Sequence, residues 1–239
     1  MSTLDIEATI RRSDWWRRAA ATPDRHGNLS SGVSLTDHLD AVLGNVRWLL
    51  VDEPVDDFTL QVRQRLESMG IDILQTFQTL LPVALLHDLG KLSQDKNATV
   101  PHPLTGKPAA KRHPVASVLL AMELLPASLE NRDRILALID KHATPFAWYV
   151  QYRKSGSIPG PKAWVHLDRK LNPKADGSGL VLLALFKIAD IAGHESSEDV
   201  AWFVSCANDK LLANRNRDLP VPSTTALKSR SRARGDGVG

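Results

Sequence analysis

Six residues combine imidazole and carboxylate groups in a pattern that could do chemistry: His38, the doublet His87-Asp88, His113, His142 and Asp190. His38 falls between Leu35 and Val42 on an apolar stripe, and His142 continues the run Ile135, Leu138, Ile139. Asp190 follows Phe186 by one turn inside LALFKIADIAG. A single core histidine is ordinarily satisfied by a hydrogen bond. An ionised carboxylate in an apolar helix, however, costs several kcal/mol unless a cation or strong donors compensate it. Several such groups in one chain point to a metal.

The doublet ends the apolar run LLPVALL, and Arg112-His113-Pro114 places His113 at the mouth of another helix. Adjacent helical residues diverge by roughly 100°, so His87 and Asp88 converge on one site only near a helix end that lines a cavity. Imidazole with carboxylate suits Mn, Fe, Co, Ni or Zn, and a carboxylate can bridge two ions where an imidazole cannot. Two ions about 3.5–4 Å apart lower the pKa of a water between them and neutralise charge on phosphoryl oxygens, with no protein nucleophile required.

The elements that must position these groups read as helices. Leu35, Leu39, Val42, Val46, Leu49 and Leu50 share one face of a segment from about 35 to 52. Phe58, Val62 and Leu66 mark a second helix, and residues 72–88 a third that Pro82 is expected to kink or restart. Pro114 suits the first turn of a helix running to about Leu125. Ile135, Leu138 and Ile139 mark another, 180–193 is apolar nearly all round, and 197–213 closes the set. No alternating strand pattern stands out, so the expected class is all-α, one helical domain over 1–219 with a flexible basic tail over 220–239. The stretch 143–178 reads as one long irregular loop, rich in aromatics, with a net charge of +4 between 151 and 176.

Composition sets outer limits. The chain has 239 residues, 43% hydrophobic and 24% charged, which excludes wholesale disorder and fibrous repeats. Its formal charge of +3 lies in the tail, where Lys228, Arg230, Arg232 and Arg234 face only Asp236, so the bulk charge says nothing about partners. No apolar run approaches the roughly 20 residues that span a bilayer, the N-terminus lacks a secretory apolar core, and a cytoplasmic protein is expected. The single cysteine, Cys206, reads as a small buried helical residue.

The ordered set His38, His87-Asp88, His113, His142 and Asp190, with Gly90-Lys91 behind the doublet, resembles the HD-domain metal-dependent phosphohydrolase superfamily over about 35–195. That resemblance implies a bundle of at least five helices. It implies that His38, His87, Asp88 and Asp190 hold one divalent ion (Mn, Ni, Co, Fe or Mg), with His113 and His142 holding a second and Asp88 bridging. Asp88 and Lys91 are then the catalytic candidates. Lys91 is either a fixed charge for a phosphate oxygen or a surface lysine, and Ser117 either a phosphate donor or a plain helix serine. Arg112, Trp148, Tyr152, Arg153 and Lys154 complete the substrate-contact candidates, the 143–178 loop being either a substrate lid or a structural cap. His26, His102, His166 and His194 are not expected to bind metal.

Local motifs refine the resemblance. Arg-His-Pro-x-x-Ser from 112, Lys-His-Ala-Thr-Pro-Phe from 141 and Leu-Phe-Lys-Ile-Ala-Asp-Ile-Ala-Gly-His from 185 are similar to the HD domains of bacterial CCA-adding enzymes and RNA-repair polynucleotide kinase-phosphatases. Those act on 2′,3′-cyclic and 2′-phosphate ends. The RNA-repair pattern tends to carry Arg four residues after the last Asp, where this chain has His194. The expected substrate is therefore a nucleotide or single-stranded nucleic-acid phosphoester, with RNA ends leading. Ser-Leu-Thr-Asp-His-Leu-Asp-Ala-Val from 34 also resembles the HD nuclease of type I CRISPR systems, which typically has a second His where Ala143 stands here. A nucleotide or cyclic-dinucleotide hydrolase, and a non-catalytic metal-binding regulatory module, are the remaining alternatives.

Overall fold

The computed structural model describes residues 3–26, 29–54, 56–191 and 198–223. Helices carry the fold: α1 (Thr3–Arg12), α2 (Asp14–Ala20), α3 (Leu35–Leu50), α4 (Asp57–Ser68), α5 (Ile73–Leu86), α6 (His113–Leu124), α7 (Arg132–Lys141), α8 (Thr144–Ser155), α9 (Pro161–Leu171), α10 (Ser178–Ala189) and α11 (Glu198–Ala207). Two antiparallel hairpins accompany them, β1 (Pro23–His26) with β2 (Leu29–Ser34), and β3 (Asp95–Pro101) with β4 (Pro108–Lys111). The class is all-α, as the periodicity predicts. The hairpins are a departure from the strandless expectation. Along β3 only Ala98 and Val100 are even half-buried, an alternation too short and too shallow to stand out in the sequence. No single helix among the described residues is long and apolar enough to cross a membrane. The cations of the basic tail beyond 223, His194 and the His26 side chain lie outside the described residues.

The chain divides into two compact units, Met1–Gly44 with Gln78–His142, and Asn45–Phe77 with Ala143–Gly239. In the first, α6 packs against α7 and against a 3-10 turn at Leu89–Leu92 that follows α5. α5 does not restart at Pro82 but runs through it to Leu86, because Val83, Ala84, Leu85 and Leu86 are fully buried and their packing outweighs one missing backbone hydrogen bond. Pro114 lies in the first turn of α6, where a missing N–H costs nothing.

In the second unit the expected loop over 143–178 is replaced by α8 and α9. α8 stops at Gly156, whose φ of +68° closes the helix with its N–H on the Tyr152 carbonyl. α9 buries Trp164, Leu167, Asp168 and Leu171, an i, i+3, i+4, i+7 stripe broken for a sequence reader by its charged member. Asp168 belongs there because it caps the next helix: its Oδ2 accepts the Gly177 N–H at 2.7 Å and its Oδ1 the Leu180 N–H at 3.1 Å. That cap starts α10, which is buried on every side. The aromatic rings pack on one another, Trp148 edge-on to Trp164 at 4.7 Å and Tyr152 stacked on Trp202 at 5.2 Å. Cys206 is buried on α11, and burial pushes its thiol pKa up.

Candidate metal centre

Four short stretches of the first unit deliver five donor side chains to one place. α3 carries His38 on its buried face, 3% exposed. α5 ends at Leu86, and His87 and Asp88 form the bend into the 3-10 turn. That bend is what lets adjacent residues serve one site. His113 opens α6 and His142 caps the C-terminus of α7.

The donor atoms form two triangles that share one carboxylate. His38 Nε2, His87 Nε2 and Asp88 Oδ2 lie 3.4, 3.7 and 3.6 Å apart. His113 Nε2, His142 Nε2 and Asp88 Oδ1 lie 3.1, 3.5 and 3.4 Å apart. The circumradii of these triangles are about 2.1 and 1.9 Å, the first within and the second just under the roughly 2.0–2.2 Å of metal–imidazole and metal–carboxylate bonds. Each group of three can hold a metal ion. The two oxygens of Asp88 point one into each.

Backbone carbonyls fix which ring nitrogens face inward. His87 Nδ1 lies 3.1 Å from the Ala84 carbonyl and His142 Nδ1 2.6 Å from that of Ile139, each three residues back along its own helix. With Nδ1–H donating to a carbonyl, Nε2 keeps its lone pair for a cation. His38 turns its Nδ1 toward Asp24 Oδ2 at 4.0 Å.

The electrostatics are those of a cation site. Burial favours the neutral form of Asp88, but the charges of His87, Lys91 and His142 prevail and hold its carboxyl well below the usual range. Burial is the largest influence on His113 and, with His142, Lys91 and His87 nearby, lowers its pKa to about 4 despite the attraction of Asp88. Between pH about 4 and 6.5 the unfolded chain therefore binds a proton at this residue that the folded metal-free protein does not. Stability falls as pH falls through that window. His113 is partly exposed, which trims the effect to on the order of 2 kcal/mol. Thermal unfolding in chelator should show a smaller loss between pH 6.5 and 4 for His113→Asn than for the native protein, and equal losses would contradict this assignment.

The remaining candidates are placed as follows. Lys91 Nζ sits 2.7 Å from both Asp88 Oδ2 and Asp24 Oδ1, an internal ion pair where one of the two readings had a surface lysine. Burial opposes its charge, yet the two carboxylates raise its pKa overall. Ser117 is fully buried; its hydroxyl donates to the His87 carbonyl at 2.5 Å and accepts the Gly90 N–H at 2.9 Å, so it clamps the doublet's turn onto α6. Arg112 is exposed at the N-cap of α6. Asp190 belongs to neither group of three; it lies in the second unit at the C-cap of α10, buried, with Lys187 Nζ 2.5 Å from its Oδ2. Trp148, Tyr152, Arg153 and Lys154 also lie in the second unit, on α8, where the rings are packed as described, Arg153 meets Tyr149 and Glu198, and Lys154 is exposed. His166 is exposed on α9. His102 accepts the Leu104 N–H at Nδ1 and meets Asp140 Oδ1 at 3.0 Å through Nε2, leaving neither nitrogen for a metal.

Asp24 is the residue that sequence reasoning missed. It is 1% exposed on the short strand β1, in a polar stretch with no apolar period around it to mark it as buried. No family model, curated protein or solved structure matches the chain.

Proposed function

We propose that this protein is a divalent-metal-dependent phosphohydrolase whose two ions are bridged by Asp88. The observation that carries the reading is the pair of triangles meeting at the two oxygens of one carboxylate. His38 and His87 would hold one ion with Asp88 Oδ2, and His113 and His142 the other with Oδ1. Such ions, when bound, activate water and neutralise charge on a phosphoryl group. Around them, Nδ1–H bonds to carbonyls keep His87 and His142 oriented, and the low-pKa Asp88 stays ionised as their shared counter-charge. Partly exposed His113 marks the open side, where substrate enters.

The substrate class is a nucleotide or nucleic-acid phosphoester, with 2′,3′-cyclic phosphates and terminal phosphomonoesters of RNA first. Its anionic character is supported by the β3–β4 hairpin, which joins the turn after Asp88 to His113. Between Asp95 and Arg112 it carries Lys96, Lys107, Lys111 and Arg112 against the single acid Asp95. Lys96, Lys107 and Arg112 are exposed and Lys111 half-buried, and surface cations of this kind follow phosphates.

The test is a screen of protein loaded with Mn, Co, Ni, Fe or Mg against 2′,3′-cyclic nucleotides, 2′- and 3′-mononucleotides, nucleoside triphosphates, cyclic dinucleotides and single-stranded DNA. Metal-dependent turnover that disappears in His87→Ala is the expected result. Absence of turnover with every metal and substrate would sink the enzyme reading, and a preference for single-stranded DNA cleavage would replace RNA ends by a nuclease function.

A further inference from the structure

The two halves of the centre differ in one respect. Asp88 Oδ1 faces only the His113 and His142 side of the centre, whereas Oδ2 faces His38, His87 and also the ammonium of Lys91 at 2.7 Å. Lys91 is drawn there together with a second buried carboxylate, since Asp24 Oδ1 lies 2.7 Å from the same Nζ. The other oxygen of Asp24 lies 4.0 Å from Nδ1 of His38, on the ring edge opposite the donor nitrogen. One buried acid from β1 thus bonds the cation that shares the bridging oxygen, and its second oxygen faces the outer nitrogen of a ligand from 4.0 Å, beyond hydrogen-bond length. No comparable acid stands behind His113 or His142 among the described contacts; His142 Nδ1 meets a backbone carbonyl instead.

We propose that Asp24 is a positioning residue for one subsite only, that of His38, His87 and Asp88 Oδ2, where its bond to Lys91 restrains that ammonium from neutralising Oδ2 and its negative charge faces the outer side of His38. This assignment rests on the two-ion reading given above. Charge decides its signature. Asp24→Asn keeps the shape and an acceptor for Lys91 but removes the negative charge, so Lys91 turns fully to Asp88 and competes with the ion. Lys91→Gln removes the competitor. The two substitutions therefore act in opposite directions, which a purely structural defect would not do.

The experiment is titration of the full-length protein with Co²⁺, read by calorimetry and by the visible absorption of the bound ion, in two half-site backgrounds. His142→Ala retains the first subsite and His38→Ala the second. In the His142→Ala background, Asp24→Asn is expected to weaken Co²⁺ binding about ten- to hundredfold, and Lys91→Gln to tighten it by about tenfold. In the His38→Ala background Asp24→Asn should change affinity by less than about threefold, because a carboxylate counts only for the ligands it touches. Asp24→Glu should recover part of the loss. Equal weakening in both backgrounds, or none in either, overturns the assignment of Asp24 while leaving the two-ion centre standing. Native protein that takes up no Co²⁺ overturns both.

Discussion

Asp88→Asn is expected to strip the centre of both ions at once and to reduce phosphoester turnover to background. No other single substitution among the five donors should release both ions. His38→Ala or His142→Ala removes a donor from one triangle, whereas Asp88 supplies an oxygen to each. An asparagine at this position offers one neutral oxygen and one N–H₂, and the amide nitrogen is a donor that cannot ligate a cation. The fold should survive, because Lys91 keeps Asp24 as its partner and the Ser117 clamp on the turn uses backbone atoms of His87 and Gly90, not the Asp88 side chain. The measurement is metal content per chain after dialysis, with thermal unfolding as a control. A variant that still carries an ion in the His113/His142 half would show that Asp88 does not bridge.

Gly90→Ala is the second large effect, and it acts without touching a donor atom. A methyl at Gly90 would stand 2.2 Å from the Ser117 backbone nitrogen, 2.3 Å from the His113 carbonyl oxygen and 2.6 Å from Ser117 Oγ. Two of those three neighbours are backbone, so no side-chain rotation relieves the contact, and the turn must part from the start of α6. Overpacking of this kind costs about 1–3 kcal/mol or more. The same separation draws Asp88 away from His113, whose Nε2 lies 3.5 Å from Oδ1. The expected result is a lowered unfolding midpoint together with lost affinity in the His113/His142 half, measured in the His38→Ala background. Unchanged stability would mean that the close approach of the turn to α6 is not a requirement of the fold.

Gly90 also shows where sequence reading ended. In the string Leu89-Gly90-Lys91 it is one small residue behind a His-Asp doublet, and nothing local says that another helix begins against it. The same holds for Ser117, four residues after His113, whose hydroxyl is spent on the doublet's own backbone. The helices themselves were legible wherever apolar residues recurred without interruption, as on α3 and α10. They were not legible where a polar residue did structural work inside the stripe. Asp168 hid α9 because an acid on a buried face looks like a loop residue until the N–H groups of Gly177 and Leu180 are seen above it. The hairpins escaped notice for a different reason: β3 and β4 are short and bury nothing fully, and the buried side chain on β1 is an acid, so no apolar period marks them.

What the amino-acid order determined was the inventory: helices as the main element, and a set of imidazoles and carboxylates placed at their ends or on their buried faces, where a cation or strong donors must compensate the carboxylates. Composition and 3.6-residue periodicity are local properties, and these conclusions need nothing more. A shared role for Asp88 between the two histidine pairs was already implied by the resemblance read from the sequence; the tertiary structure alone decided which of its oxygens faces which pair, that Lys91 is held between Asp88 and Asp24, and that Ser117 is a clamp. These depend on distances between residues tens of positions apart in the chain. An Oδ1–Oδ2 division of labour, or an acid placed behind a ligand, is a property of packed backbones and leaves no periodic trace along the sequence.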